Sequence, residues 1–387
     1  MDFRLSREMT MLRDAVREFA NKKLAPYVDE WDKNHYLPHE EALKPMGELG
    51  FFGSVIPEAY GGEEMGFLAT AIITEEIARV SGSLRVQVNM QGLGTAYPIY
   101  RYGTDAAKEK YIARLCSAEY LGAFAITEPN AGSDVMSIET TAEDRGDHFL
   151  LNGSKTWISN ANYADVIICY AYTDKEKRGK GLSAFILEPK NFEGISTTDL
   201  EKLGLFSSPT GELFLNNVKV PRENLLGEVG DGAAIVFSSL NQTRLSAAAG
   251  GVGVAQSCLD IALKYCNQRE QFGREIGQFQ MNQELIAKMS VEIEASRLLV
   301  YRAACEKDNG NLNNGLDVAQ AKYYAAETAI NCANHAMRIM GAYGYSTEYP
   351  LARIYRDAPS VAIVEGSANI CKQIIAMDRL GYRKANR

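Results

Sequence analysis

The stretch HFLLNGSKTWIS, residues 148–159, decides the fold class because it interrupts a chain that is otherwise helical in its periodicity. Asn152-Gly153 stands between two short runs typical of β-strands, and this dipeptide is a strong hairpin signal. We therefore predict a β-hairpin at this point. Further runs typical of strands, each bounded by turn residues, follow at DVIICYAYT (165–173), LSAFILEP (182–189) and GELFLNNVKVP (211–221).

The regions on either side have the periodicity of helices. In the first, Met9, Leu12, Val16 and Phe19 recur at helical spacing after a candidate cap at Ser6. An amphipathic helix is predicted at Leu68–Val80. Later helices are predicted at 233–270, 280–307, 315–341 and after Gly366.

The order helix, strand, helix predicts three domains, at 1–115, 116–225 and 226–387. The fold class is mainly α with a middle β domain. The chain has 387 residues, of which 46% are hydrophobic and 23% charged, so it has ample apolar material for a large core.

Charge and residue usage exclude several classes of function. The formal net charge is −8 and no long Lys/Arg cluster occurs, which argues against a nucleic-acid or anionic-membrane surface. No secretory signal and no membrane-spanning run is predicted. Seven scattered cysteines without CxxC indicate reduced thiols, so we expect a cytoplasmic protein. Four histidines form no ligand pattern, and we predict no metal.

Several loops carry candidate chemistry, each with a plainer alternative. FAITEPNAGSD (124–134) offers backbone N–H groups to a phosphate or a polar ring edge, or is a tight turn. In KTWISNA (155–161), Trp157 either stacks on a flat cofactor or fills the core. REQFGREIGQFQ (269–280) offers an arginine and an aromatic ring to a nucleotide, or ends a helix at Gly273.

Small residues fill NQTRLSAAAGGVGVAQ, residues 241–256. GVGVAQ lacks the third glycine of a dinucleotide fingerprint and follows no strand, so we predict a helix with a face for close packing. Arg244 is either a phosphate or amide contact or a surface residue.

The run AIVEGSANI, residues 362–370, places one glutamate, Glu365, among apolar residues. An unpaired carboxylate is costly to desolvate, so this position is either functional or a surface site at a helix N-terminus.

Together, FAITEPNAGSD, KTWISNA, REQFGREIGQFQ, MRIMGAYGYSTEYPLARIYRDA (337–358) and IVEGSANI (363–370) resemble the acyl-CoA dehydrogenase family over nearly the whole chain, within it the glutaryl-CoA dehydrogenase branch. The resemblance implies an N-terminal helical domain, a β-barrel-like middle domain and a C-terminal four-helix bundle. It also implies FAD, an acyl-CoA substrate, an electron-transfer flavoprotein as acceptor and a homotetramer.

The resemblance further implies site residues. Glu365 matches the catalytic base, and Thr243, where some relatives carry the base, cannot replace it. The FAD contacts implied are Phe124, Ile126, Thr127, Ser133, Trp157, Ser159, Arg269, Phe272, Gln280, Arg338, Ile339, Gly341, Ser367 and Asn369, of which Arg269, Phe272 and Gln280 serve a neighbouring subunit. The substrate contacts implied are Arg85, Asn89, Ser133, Asn241, Arg244, Val364 and Gly366. Many relatives carry Asp where this chain has Asn241.

Arg85 occupies the position where glutaryl-CoA dehydrogenases hold the distal carboxylate; the alternative is a helix-end arginine in solvent. Decarboxylating members carry Tyr where this chain has Val364 and Glu where it has Ala78. We therefore expect glutaryl-CoA to be oxidised to glutaconyl-CoA without decarboxylation. The alternatives are dehydrogenation of an alicyclic substrate such as cyclohexane carboxyl-CoA, an acyl-CoA oxidase, and a CoA-binding scaffold without activity.

Overall fold

The computed structural model describes residues 3–382, and its first region is helical. Ser6 caps the first helix, as predicted, by accepting a hydrogen bond from the backbone N–H of Met9 at 3.2 Å. π-Helical turns at Asn89–Ala96 join the fifth helix to the sixth. The helices are α1 (Arg7–Phe19), α2 (Val28–Lys33), α3 (Lys44–Glu48), α4 (Phe67–Ala78), α5 (Gly82–Val88), α6 (Tyr97–Tyr102) and α7 (Asp105–Cys116).

A helix is present where one was predicted at Leu68–Val80, but the prediction that it is amphipathic is wrong. Helix α4 covers most of that range, but all of its residues except Leu68 are buried. The reason is that α1 and two helices of the third region, Gly232–Cys266 and Gln280–Asp308, pack around it. A helix enclosed in this way has no solvent face to keep polar.

The middle region is a sheet, as predicted, with strand order β6-β7-β3-β2-β4-β5-β8 and β1 beside β4. Alternate side chains of β3 and β7 are buried in a hydrophobic core of the middle region. The strands are β1 (Gly122–Ala125), β2 (Thr141–Asp144), β3 (His148–Ser159), β4 (Val166–Tyr172), β5 (Leu182–Leu187), β6 (Ile195–Asp199), β7 (Thr210–Pro221) and β8 (Leu225–Leu226).

The hairpin predicted at Asn152-Gly153 is wrong, because β3 runs unbroken through both residues. The register against β7 shifts between Leu151 and Gly153, so the dipeptide forms a bulge rather than a turn. A β-carbon at Gly153 would lie 2.5 Å from Oγ1 of Thr140, which leaves room for glycine alone. Crowding by Thr140, rather than a turn, therefore explains why this position is glycine.

The third region returns to helices, packed around α8. A tight β9–β10 hairpin separates α8 from α9. The elements are α8 (Gly232–Cys266), β9 (Glu270–Gln271), β10 (Arg274–Glu275), α9 (Gln280–Asp308), α10 (Gly315–Met340), α11 (Ala342–Tyr345), α12 (Pro350–Ile363) and α13 (Ala368–Leu380).

The small-residue face predicted on α8 packs closely, as expected. A β-carbon at Gly253 would lie 2.2 Å from the backbone oxygen of Glu75 on α4. By length and composition α8 could cross a membrane, but 83% of its most apolar window is buried inside the protein, as in a core helix.

Candidate active site

A cavity of about 600 Å³ opens where the three regions meet. Its walls come from α5, the end of β3, the segment 201–210, α12 and the turn after α12. This volume is in the range of small-molecule sites. Six of the predicted site residues line it: Arg85, Asn89, Trp157, Ser159, Val364 and Glu365.

Glu365 lies in the turn between α12 and α13, with a backbone φ of 56°. Left-handed backbone is unfavourable for a residue with a β-carbon, at roughly 1–2 kcal/mol. Gly366 follows at φ 85°, and a β-carbon there would lie 2.9 Å from Nη2 of Arg244. Ser367 then caps α13 by accepting from the N–H of Ile370 at 3.4 Å. The turn therefore directs the Glu365 side chain into the cavity, not into solvent beside a helix end.

The Glu365 carboxylate accepts two side-chain hydrogen bonds in this state. Nδ2 of Asn89 donates to Oε1 at 3.1 Å, and the Thr243 hydroxyl donates to Oε2. Thr243 is thus a hydrogen-bond donor to the carboxylate. The sequence excluded Thr243 as the base, and it predicted no other role for this residue. The backbone N–H of Glu365 has no acceptor among residues 3–382, so it is available to a ligand.

Arg244 is buried behind this turn, so it is not a surface residue. Its Nε donates to the backbone oxygen of Glu365 at 2.9 Å. A contact between Arg244 and the CoA moiety stays a prediction. Asn241 donates from Nδ2 to the oxygen of Leu312 at 2.8 Å, while its Oδ1 is buried without a partner in the described chain. That free acceptor fits an amide N–H of an extended ligand.

Arg85 is 1% exposed, so the alternative of a helix-end arginine in solvent is wrong. Within residues 3–382 its side chain makes no ion pair and no hydrogen bond, and its Nε is buried. Burial lowers the pKa of the guanidinium, and the carboxylates of Glu365 and Asp357 oppose that shift. A buried cation without a paired anion is costly, so this site favours an anionic ligand.

The glycine face of α8 makes room for Arg85. A β-carbon at Gly250 would lie 2.6 Å from Cδ of Arg85. One turn further along, a β-carbon at Gly253 would lie 2.6 Å from Cβ of Ala78. Ala78 is buried there, and an alanine supplies no carboxylate from this position. Val364 gives the cavity an apolar wall beside Glu365.

Trp157 is 58% exposed on the cavity wall, so the alternative that it fills the core is wrong. Its φ is 60°, at a register shift between β3 and β7. An exposed indole held in strained backbone is an arrangement that functional sites carry. Phe124 packs in the layer behind Val86, Met90 and Leu205, which form the cavity wall.

A buried ion pair that the sequence pattern did not reveal holds the FAITEPNAGSD loop. Nζ of Lys155 donates to Glu128 at 2.7 Å and to the oxygen of Ile126 at 3.2 Å. Burial alone would raise the pKa of Glu128, but Lys155 and Thr140 outweigh it and keep that pKa below its usual value. The pair fixes Thr127, whose backbone oxygen accepts from Thr156 at 2.9 Å.

The segment 201–210 forms much of one wall and was also missed, because loop sequence carries no periodic signal. Nζ of Lys202 donates to the oxygen of Leu205 at 3.0 Å and to Oγ1 of Thr210 at 2.9 Å. Asp357 accepts from the N–H of Leu205 at 2.7 Å. Burial raises the pKa of Asp357 to about 6. These contacts tie the wall to α12.

The remaining predicted FAD contacts lie away from this cavity in the single chain. Phe272 is 94% exposed at the tip of the β9–β10 hairpin, so the alternative of a helix end at Gly273 is wrong: α8 ends at Cys266. Cζ of Arg269 lies 5.5 Å from the ring centre of Tyr343, which joins the hairpin to the turn after α10. The predicted contacts outside the cavity lining include Ser133, Arg269, Phe272, Gln280, Arg338, Ile339, Gly341 and Asn369.

Three family models match the chain in succession. The N-terminal, middle and C-terminal domains of acyl-CoA dehydrogenase match residues 6–119, 123–218 and 230–380. A curated relative, the glutaryl-CoA dehydrogenase of Desulfococcus multivorans, is 68% identical over 389 aligned residues and covers 100% of both chains. The chain belongs to the acyl-CoA dehydrogenase family. It is an FAD-dependent oxidoreductase that acts on an acyl-CoA, as the resemblance implied.

Solved structures agree with this family fold. A glutaryl-coenzyme A dehydrogenase in complex with glutaryl-CoA matches with a TM-score of 0.98 and 67% identity, over 100% of this chain and 98% of that one. A chain from a structure described as the electron transferring flavoprotein of Acidaminococcus fermentans matches with a TM-score of 0.96 and 39% identity, over 99% of this chain and 100% of that one. The predicted fold class is confirmed.

The residues present fit the flavin that the family uses. Trp157 offers an exposed aromatic face beside the cavity, and the loop at 127–134 is anchored by the buried Lys155–Glu128 pair. A flat ring system requires such a face and a fixed polar edge.

Proposed function

We propose that the chain oxidises glutaryl-CoA to glutaconyl-CoA and keeps the distal carboxyl group. The observation that carries the proposal is Arg85: a buried guanidinium, without an anionic partner in residues 3–382, lines the same cavity as Glu365. A planar guanidinium can bind a carboxylate through two parallel hydrogen bonds. Similarity to glutaryl-CoA dehydrogenases supports this choice of substrate.

Glu365 is proposed as the base that takes the α-proton of the thioester. Asn89 and Thr243 each donate to one oxygen of its carboxylate, and the lone pairs that remain free can accept the proton. As the C–H bond breaks, negative charge develops on the thioester oxygen. We expect the free backbone N–H of Glu365 to donate to that oxygen. FAD, when bound, supplies the acceptor for the hydride that leaves Cβ.

The same cavity supports the proposal that the reaction stops at glutaconyl-CoA. Loss of CO2 from that product leaves a carbanion that must be reprotonated by a nearby acid. Val364 lines the cavity, and Ala78 packs against Gly253, one turn from the Gly250–Arg85 contact. Neither has a hydroxyl or a carboxyl group, so neither adds a proton donor to Glu365, which carries the α-proton at that stage. Arg85 remains bound to the carboxylate and stabilises its charged form.

Replacing Arg85 tests the substrate assignment. Butyryl-CoA is the matched control because it has the same reacting carbons but no distal carboxylate. In Arg85→Met we expect kcat/KM for glutaryl-CoA to fall about 10- to 100-fold, the value of a charged hydrogen-bonded contact. The value for butyryl-CoA should change much less, and Arg85→Lys should recover part of the loss. Equal losses for both thioesters would refute the assignment, and turnover of cyclohexane carboxyl-CoA alone would favour the alicyclic alternative.

We also propose a homotetramer in the cytoplasm that passes electrons to an electron-transfer flavoprotein. The exposed Phe272 at a hairpin tip supports a neighbouring subunit at that surface. The similarity to a chain from an electron transferring flavoprotein structure supports the acceptor. Size measurement in solution tests the first proposal, and comparing flavin reoxidation by that acceptor with reoxidation by oxygen tests the second.

A further inference from the structure

Lys322 is a buried cation that no step above uses. It lies on α10 and is 0% exposed. Its Nζ donates to the backbone oxygen of Gly366 at 2.6 Å. Among residues 3–382 it forms no ion pair with a carboxylate. Burying an ammonium group costs free energy, and a hydroxyl group or a water molecule would donate to one carbonyl at a lower cost. The presence of a lysine here therefore needs an explanation.

The contact falls on the turn that carries Glu365. Arg244, from α8, donates to the oxygen of Glu365, and Lys322, from α10, donates to the oxygen of the next residue. Two consecutive carbonyls are therefore held by cations from two different helices. The two residues that carry these carbonyls have φ values of 56° and 85°, and left-handed backbone is unfavourable at Glu365 because it has a β-carbon.

The charges around Lys322 are consistent with a role at this turn. Burial lowers its pKa to about 8; Cys371 and Glu365 oppose that shift, while Arg244 and Arg85 add to it. Its surroundings thus include the carboxylate of Glu365 and both arginines of the site. Glu365 is the carboxylate in this set, and the thiol of Cys371 on α13 is the other acidic group in it.

We propose that Lys322 is a positioning residue for the carboxylate of Glu365. By holding the Gly366 carbonyl while Arg244 holds that of Glu365, it keeps the turn left-handed and aims the carboxylate at the α-carbon of the thioester. The inference rests on the proposed role of Glu365 as base. Misplacement of a reacting group by about 1 Å can cost on the order of 100-fold in rate, so the expected effect is on the proton-transfer step.

The test measures proton transfer separately from the full reaction. A thioester analogue with sulfur in place of the β-carbon has no β-hydrogen, so exchange of its α-proton with deuterated solvent reports on Glu365 alone. In the FAD-loaded Lys322→Met protein we expect exchange and kcat to fall about 10- to 100-fold. KM and flavin content should stay within about 3-fold of the parent, and Lys322→Arg should recover most of the rate.

Thr328→Val is the matched control, because it removes a buried hydrogen bond from the same helix, between Ser296 and Thr328, away from Glu365. It should leave exchange unchanged. If Lys322→Met does not fold, Lys322→Gln, which keeps a donor without the charge, takes its place. Unchanged exchange in folded Lys322→Met, or in Lys322→Gln where it takes that place, would overturn the inference, as would an equal loss in Thr328→Val. Full exchange in Glu365→Gln would instead refute the base itself, so the two failures are distinguishable.

Discussion

Asn89 donates a hydrogen bond from Nδ2 to Oε1 of Glu365 at 3.1 Å, across 276 positions of sequence. Asn89 opens the π-helical turns that follow α5, and its own Oδ1 is buried without a partner in the described chain. π-Helical turns are frequent at functional sites because they re-aim side chains. The geometry links the helix that carries Arg85 to the residue proposed as base.

Thr243→Val tests the second donor to that carboxylate. Valine has nearly the shape of threonine but no hydroxyl, so the Thr243 hydrogen bond to Glu365 is lost. We expect kcat to fall about 10-fold, the value of a charged hydrogen bond.

Thr243→Ser is the matched control, since it keeps the hydroxyl, and it should retain most of the activity. Steady-state rates with glutaryl-CoA decide the matter. A Thr243→Val protein with an unchanged rate would show that the hydroxyl does not act on Glu365.

Lys155→Met should both destabilise the protein and weaken flavin retention. It leaves Glu128 buried without its cation, which costs about 3–5 kcal/mol in comparable cases. The double variant Lys155→Met/Glu128→Gln removes the unpaired charge and should regain part of the stability. Urea unfolding measures the first effect and the flavin-to-protein absorbance ratio the second. A double variant less stable than Lys155→Met would contradict this account of the pair.

The seven cysteines should resist alkylation in the folded protein. All are free thiols, and only Cys305 is not fully buried. Burial raises the pKa of Cys116 and of Cys332 to about 12, so almost no thiolate is present at pH 8. Iodoacetamide followed by mass analysis should label Cys305 slowly at most, and all seven in urea. Rapid labelling of Cys116 in the folded protein would show that its surroundings open.

The fold class could be predicted from the sequence because hydrophobic period is a local property. The change at HFLLNGSKTWIS marks the sheet even though Asn152-Gly153 does not form a turn. That error has a physical cause. Any side chain at position 153 would clash with Thr140, and this contact between distant residues cannot be predicted from the dipeptide. The burial of α4 on every side was hidden for the same reason, since it depends on helices elsewhere in the chain.

The site was predictable only in part. Family motifs marked Glu365, Trp157 and Arg85, and all three line one cavity. Lys155 and Lys322 carry no such mark, because a buried lysine and a surface lysine look alike in sequence. Their partners are set by packing between distant segments, so a structure was needed to find them.

The most direct test of the proposed function is the mass of its product. The FAD-loaded protein is mixed with glutaryl-CoA and an artificial electron acceptor in the absence of oxygen, and the thioester formed is identified by mass spectrometry. We predict glutaconyl-CoA, with all carbons of the acyl group retained, because Arg85 holds the carboxylate and neither Val364 nor Ala78 carries an acidic group. Crotonyl-CoA with release of CO2 would contradict that prediction.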